Sequence, residues 1–99
     1  MSTALTLTTS HRPDGTPVLT ATGEVDMSNA ADFAAALTRA VEAAPGQLTV
    51  NLTALQYLDS AGLAVLFPHV ERIHLITSPL LAPVLTIAGL GDLMTVTPA

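Results

Sequence analysis

Leu58-Asp59-Ser60-Ala61-Gly62-Leu63 joins an apolar segment, Leu48 to Leu58, to a helix-like pattern running from Leu63 to Phe67. The junction predicts the end of a strand followed at once by the first turn of a helix. A serine that opens a helix lies beside backbone N–H groups that no preceding carbonyl satisfies. The partial positive charge there favours an added phosphate. Asp and Ser are equally the residues that cap helices, so these two positions alone leave capping and switching both open. The surrounding pattern has to separate them.

Upstream, Leu48 to Leu52 is a β-rich Leu-Thr-Val-Asn-Leu run and predicts a core strand. Before it, Ala30 to Ala44 places Phe33, Leu37 and Val41 four residues apart, with Asp32, Arg39 and Glu42 on the other side. That spacing predicts an amphipathic helix, with Ser28 or Asn29 as its cap and Pro45-Gly46 as its end. Gly23-Glu24-Val25-Asp26 reads as the end of a preceding strand. Thr3 to Thr9 alternates Leu5 and Leu7 with threonines, and Asp14-Gly15 separates it from Val18, Leu19 and Ala21. This predicts two strands joined by a turn, with Pro17 at the entrance of the second.

Strand, helix, strand is a parallel crossover unit, and its two strands end on the same edge of the sheet. Asp26, after the first strand, and Asp59 with Ser60, after the second, are therefore expected to face the same side. In open α/β sheets this carboxyl edge is where sites are built.

Downstream, Leu63, Leu66, Phe67 and Val70 hold helical spacing, but Pro68 clashes with the preceding turn. The helix is expected to stop after two turns or to kink. Ile73 to Thr77 predicts a short strand and Ser78-Pro79 a helix start. Leu81, Val84, Leu85 and Ala88 form one helical face closed by Gly89, and Leu93 to Val96 predicts a last strand.

The composition fits one compact domain over residues 1–99, with 49% hydrophobic residues. Its cations are Arg12, Arg39 and Arg72, without a lysine, and the formal net charge is −5. A P-loop or a protein kinase needs a lysine, and nucleic-acid binding by counterion release needs several cations. No partner of nucleic acid is expected. Without cysteine there is no disulfide framework and no thiolate metal site. Neither a metal nor another cofactor is expected. The first ten residues carry no basic stretch ahead of an apolar block, so the expected address is the cytoplasm. Leu75 to Gly91 lacks formal charge, but Pro79, Pro83, Gly89 and Gly91 punctuate it, so direct membrane insertion is not expected. Charged residues are only 11% of the chain, so part of the surface must be Ala, Thr and Ser, which is cheap to desolvate against a protein partner, with ordinary alanine-rich composition as the plainer reading.

Four ordered pieces resemble the STAS domain, the fold of bacterial anti-sigma factor antagonists, sulfate-transporter tails and a lipid-transport subunit. They are Gly23-Glu24-Val25-Asp26 with Ser28-Asn29-Ala30, then Val50-Asn51-Leu52, then Asp59-Ser60-Ala61-Gly62-Leu63, and Ser78-Pro79 with Leu85, Ile87, Gly89 and Leu90. The resemblance implies an α/β fold with a mixed sheet of four to five strands and helices packed on it. In the antagonist branch it implies a serine phosphorylated by a partner anti-sigma factor that is itself a serine kinase. That serine corresponds to Ser60 and the family's acidic loop residue to Asp26. The partner-binding set implied is Asp26, Ser28, Asp59, Ser60, Ala61, Gly62 and Leu63. Between Gly62 and Ser78 the chain departs from the family, because only fifteen residues and Pro68 fill the space of a longer second helix, a glycine turn and a strand. The second helix is expected to be shortened. Pro83 also replaces a position that is often basic in the family.

Two other functions compete. A regulatory subunit of a membrane transporter or lipid-export complex would keep the fold and use Ser60 as an unphosphorylated contact. An enzyme would need Ser60 as nucleophile with His11, His69 or His74 as base, yet the serine lacks the Gly-x-Ser-x-Gly elbow and the histidines show no convergence. A binding module without catalytic residues is the expectation.

Overall fold

The computed structural model describes residues 4–98. A hairpin opens the chain, formed by β1 (Leu5–His11) and β2 (Pro17–Val25) paired antiparallel from Leu5 opposite Gly23 to His11 opposite Pro17. Its turn is held by Gly15 N–H on the Arg12 carbonyl at 2.8 Å, with Gly15 at φ 90°, a backbone that glycine adopts without steric cost. The Asp14 carboxylate accepts from Thr16 N–H at 2.9 Å, and this bond, helped by the Thr16 hydroxyl, holds its pKa below the ordinary carboxylate value. The first strand runs two residues past the expected Thr9 because Pro17 and Val18 still offer it a partner. Thr3, at the expected start, lies outside the described residues.

Helix α1 (Ala30–Ala43) follows β2 and buries Phe33, Leu37 and Val41, the stripe its spacing predicts. Burying a side chain of this size contributes about 1.5–3 kcal/mol. The chain then returns as β3 (Leu48–Leu52), parallel to β2, which closes the crossover. The segment from Leu48 to Leu58 holds a second strand that the apolar pattern does not announce, β4 (Leu55–Leu58). Asn51 turns the chain between them, its Oδ1 accepting from Thr53 N–H at 3.0 Å and from the Thr53 hydroxyl at 2.7 Å. Both strands pair with β2, β3 along Val18 to Thr20 and β4 along Gly23 to Val25. They follow one another along β2, and the sheet holds six strands among the described residues where four to five are expected.

Gly23 lies in β2 where its partner changes from β3 to β4. Its φ of +107° belongs to glycine, and a Cβ there would lie 2.3 Å from the Ala4 carbonyl oxygen. The β2–β4 register shifts between Gly23 and Glu24 and thereby sets Val25 opposite Leu58.

After β4 come α2 (Ser60–Leu66), seven residues long, and a 3-10 turn over Phe67–His69 that contains Pro68. The second helix is short, as the sequence predicts. Beyond that turn the Arg72 guanidinium donates to the carbonyls of Val41 at 3.3 Å, Ala44 at 3.0 Å and Gly46 at 3.2 Å. Those carbonyls belong to the last turn of α1 and the loop beyond it, where a cation is favoured.

β5 (Ile73–Thr77) pairs parallel to β3 across its full length. The third helix corrects the expectation at Ser78-Pro79: α3 spans Ala82–Ile87, with Pro83 in its first turn. Ser78 instead closes a preceding turn through its carbonyl, which accepts from Leu81 and Ala82 N–H at 3.2 and 3.1 Å. Gly89 ends α3 with φ 82°, as predicted. The last strand is also displaced, to β6 (Val96–Pro98), parallel to β5. Leu90–Asp92 forms a 3-10 turn that buries Leu90, so Leu93 falls outside the sheet and is exposed.

The sheet order is β1-β2-β3-β5-β6, with β4 beside β2. Residues from the sheet and all three helices, among them Leu19, Val50, Leu75, Phe33, Leu66 and Leu85, form one buried cluster. Strand residues of the other phase, such as Thr8, Thr20, Asn51 and Thr97, stay partly or fully exposed.

Candidate functional site

Parallel strands β2, β4 and β5 end on one edge, and the loops that leave them carry the chemistry. Val25 and Leu58 are register partners, and Asp59 N–H donates to the Val25 carbonyl at 3.3 Å. Asp26 and Asp59 therefore begin adjacent loops, the arrangement the crossover predicts.

The first loop, residues 26 to 29, is tied down by side chains. Asp26 Oδ1 accepts from Ser28 N–H at 2.8 Å and from the Ser28 hydroxyl at 2.5 Å. Asn29, only 7% exposed, accepts from Asp26 N–H at 2.9 Å and donates from Nδ2 to the Glu24 carbonyl at 2.9 Å. Backbone bonds from Asn29 and Ala30 N–H to the Asp26 carbonyl complete the turn, at 3.2 and 2.8 Å. This corrects the capping expectation. Asn29 occupies the N-cap position of α1 but makes no side-chain cap bond. Its amide turns back and fastens the loop to the end of β2.

The second loop is shorter. Asp59 caps α2, its Oδ1 accepting from Gly62 N–H at 3.1 Å while its carbonyl accepts from Leu63 N–H at 2.9 Å. The cap is thus Asp59, and Ser60 is the first helical residue. Ser60 is exposed, and its hydroxyl makes no hydrogen bond among the described residues. Capping and hydroxyl presentation fall on two different residues.

The remaining expected positions divide by burial. Asp26, Asp59, Ala61 and Leu63 are half-buried, and Ser28 is exposed. Gly62 is buried, and a Cβ on it would lie 2.4 Å from Leu58 Cδ1 and 2.8 Å from Val25 Cγ1. Its contribution is to let the first turn of α2 sit directly on the ends of β2 and β4. The geometry separates the histidines from Ser60. His11 ends the antiparallel β1 and His74 lies near the start of β5, both toward the opposite edge, and His69 lies beyond the far end of α2. His74 Nε2 pairs with the Thr97 hydroxyl at 2.7 Å. Among the described residues no cluster of three or more His, Cys, Asp or Glu side chains could hold a metal ion, and no helix is long and apolar enough to cross a membrane.

Sequence reasoning passes over two features of this edge. Asn29 reads as a cap, and only its burial exposes its other use. Met27 is 83% exposed between Asp26 and Ser28. A methionine flanked by polar residues, ahead of a helix whose stripe begins at Phe33, is the signal that could have found it.

Among the described residues a mixed sheet with three helices packed on it makes an α/β fold of the STAS kind. A family model described as "Mlab, STAS domain" matches residues 8–96, and the chain belongs to the STAS domain family. Its fold is similar to that of an anti-sigma factor antagonist from Mycobacterium paratuberculosis, with TM-score 0.87 and 24% sequence identity over 97% of this chain and 87% of that one. It is also similar to the anti-sigma factor antagonist SpoIIAA in its unphosphorylated form, with TM-score 0.69 and 24% identity over 95% of this chain and 88% of that one. An antisigma-factor antagonist STAS domain from Rhodobacter sphaeroides matches with TM-score 0.57 and 16% identity over 74% and 84% of the two chains. No curated protein matches the sequence. At these identities the likeness is one of fold.

Proposed function

We propose that this chain is an anti-sigma factor antagonist that binds an anti-sigma factor of the serine-kinase type and is switched off by phosphorylation at Ser60. The observation that carries the reading is the state of Ser60: an exposed hydroxyl without a hydrogen-bond partner among the described residues, at the start of α2, on the same edge as Asp26 and Asp59. The antagonist folds support it as likenesses.

In this reading the unphosphorylated edge, Asp26, Ser28, Asp59, Ser60, Ala61 and Leu63 with Gly62 beneath them, seats the partner and displaces the sigma factor. Phosphorylation adds about −1.5 to −2 charge beside two carboxylates. An interface that fitted a neutral hydroxyl then meets concentrated negative charge, and a change of about 1.4 kcal/mol already alters affinity tenfold. A large conformational change is unnecessary. The protein works in the cytoplasm, where sigma factors act, as a binding module and not as an enzyme.

Incubation with ATP and the anti-sigma kinase, followed by mass spectrometry of the Ser60 peptide, tests the switch. The expected result is one phosphate on Ser60, with Ser60→Ala retaining partner binding and Ser60→Asp losing it. Equal binding by the two variants would overturn the switch. A second reading, a regulatory subunit of a membrane transporter, keeps one observation: the matched family description names Mlab rather than an antagonist. Copurification with a membrane ATPase complex would favour it.

A further inference from the structure

The two outer strands of the sheet are built differently. β6 is three residues long and ends at Pro98, so it offers a neighbour little backbone to pair with. β1 runs for seven residues, Leu5-Thr6-Leu7-Thr8-Thr9-Ser10-His11, without Asp, Glu, Lys, Arg or Pro, and its register with β2 is unbroken. Among the described residues its outer side pairs with no strand. Charges, prolines and bulges keep an outer strand from adding another, and β1 has none of them.

Beside this strand lies a groove of about 780 Å³ between β1 and α1. Phe33, Leu37 and Val41 carry α1 into the core, whereas Ala36, Ala40 and Ala43, on the neighbouring face of the helix, line the groove with Leu7 and Leu19. Methyl side chains are too short to fill it. Asp32 and Arg39 line the same groove, about two helical turns apart. Both are exposed, and neither side chain makes a hydrogen bond or ion pair among the described residues. β1 is antiparallel to β2, and α1 returns the chain between the parallel strands β2 and β3, so α1 runs in the direction of β1. Strand and helix are each about 20 Å long.

We propose that β1 is the interface with a second copy of this chain: two β1 strands pair antiparallel about a two-fold axis normal to the sheet and make it continuous across the dimer. A two-fold contact uses the same patch on both copies, so the patch has to complement itself. With the axis at Thr8, the middle of β1, Thr8 meets its own copy and Leu7 meets Thr9. The same rotation keeps the helices of both copies on one face and sets their α1 helices antiparallel, with the alanine faces turned toward each other above the new strand pair. Asp32 lies in the first turn of α1 and Arg39 in its second half, so the rotation brings Asp32 of one protomer toward Arg39 of its partner, twice over. Charges without a partner within one chain thus become reciprocal pairs in the dimer. That charge complementarity selects a second copy over an unrelated strand. None of Asp26, Asp59 and Ser60 lines the groove, so pairing here does not use the candidate site.

Sedimentation velocity of the full chain over a concentration series is the measurement, and a monomer–dimer equilibrium is the expected result. Thr8→Lys sets like charges opposite each other at the axis and should weaken the dimer by about tenfold or more. Arg39→Glu and Asp32→Arg each replace attraction by repulsion and should weaken it by about tenfold. Asp32→Arg combined with Arg39→Asp exchanges the signs, keeps the pairing and should recover most of the wild-type affinity. Glu42→Lys, on α1 outside the groove, and Thr97→Lys, on β6, should leave the dimer unchanged. Thr8, Asp32 and Arg39 are exposed, so circular dichroism of these variants should match wild type and reveal any folding defect. A wild-type chain that stays monomeric throughout the series would overturn the interface, as would a dimer that Thr8→Lys leaves intact. Growth beyond the dimer would overturn the closed two-fold, and a double variant no tighter than the single ones would overturn the pairing of Asp32 with Arg39. None of these outcomes bears on the antagonist reading, which is tested at Ser60.

Discussion

The loop after β2 and the loop after β4 each place an aspartate behind a parallel strand and ahead of a helix, and their carboxylates do different work. Asp26 bonds within its own loop, to Ser28 N–H and hydroxyl, while Asp59 reaches forward to cap α2 at Gly62 N–H. The serines differ accordingly. Ser28 spends its hydroxyl on Asp26, whereas the Ser60 hydroxyl is directed to no partner among the described residues. A shared topological position therefore fixes where a site can be built, and local hydrogen bonding decides which hydroxyl is available to chemistry.

Glycine substitutions should break the comparison most severely, because each loop rests on one close approach. Gly23→Ala combines a left-handed φ of +107° with a Cβ 2.3 Å from a backbone oxygen, which cannot move like a side chain. Strain and overpacking each cost about 1–3 kcal/mol, so a loss of about 3 kcal/mol or more is expected. Gly62→Ala meets side chains, Leu58 Cδ1 and Val25 Cγ1, and should lose less, about 1–3 kcal/mol. Urea unfolding of the two variants checks the order. If Gly62→Ala proves the more damaging, the first turn of α2 is less able to yield than the backbone around Gly23 in β2.

Next in size is Asn29→Ala. It removes a buried amide and leaves Asp26 N–H and the Glu24 carbonyl without that partner, at a cost of about 1–3 kcal/mol. If Asn29 were an ordinary cap, Asn29→Ser would preserve stability, since serine caps as well as asparagine. The observed geometry predicts that Asn29→Ser is nearly as damaging as Asn29→Ala, because a serine cannot span the two backbone groups. Thermal unfolding of the pair distinguishes the roles.

How far the sequence reaches follows from the same residues. Period-four spacing of Phe33, Leu37 and Val41 and the crossover logic are carried by burial and chirality, so α1 and the shared edge are legible. Asp59 and Ser60 are legible as a pair, but not which of them caps, because both residue types do so. β4 is hidden because the turn at Asn51–Thr53 is made by a side chain rather than by Gly or Pro. The later start of α3 is hidden for a related reason: Ser78-Pro79 has the residues of a helix start, yet here the turn that its carbonyl closes comes first. Arg72 binds carbonyls distant in sequence, and no local spacing signals such a contact.

Asp59 allows the cap and the charge to be separated. Asp59→Ala should cost about 1 kcal/mol through the lost bond to Gly62 N–H. Asp59→Asn keeps a side-chain oxygen for that bond and should stay close to wild type in stability, while removing one negative charge from the edge. Partner binding by Asp59→Asn then reports on charge alone. Weaker binding by this variant at low salt, converging on wild type at high salt, would mark Asp59 as part of the electrostatic fit. Salt-independent weakening would place its effect in the local geometry instead.

The smallest expected change in stability is at the serines, and it bears most directly on the comparison of the two loops. Ser28→Ala removes the hydroxyl bond to Asp26 but leaves the Ser28 N–H bond in place, so a loss of about 0.5–1 kcal/mol is expected. Ser60→Ala removes an exposed hydroxyl without a partner among the described residues and should stay within about 0.5 kcal/mol of wild type. On the proposed reading, phosphate incorporation by an anti-sigma kinase runs the other way, unchanged in Ser28→Ala and abolished in Ser60→Ala. The two readouts together test the division of labour, because a serine held by an internal acceptor must first break that bond to receive a phosphate, and a serine at the exposed start of α2 has none to break. Phosphate found on Ser28 instead would mean that the turn held by Asp26 opens readily, and that the hydrogen bonds of the first loop do not protect its hydroxyl.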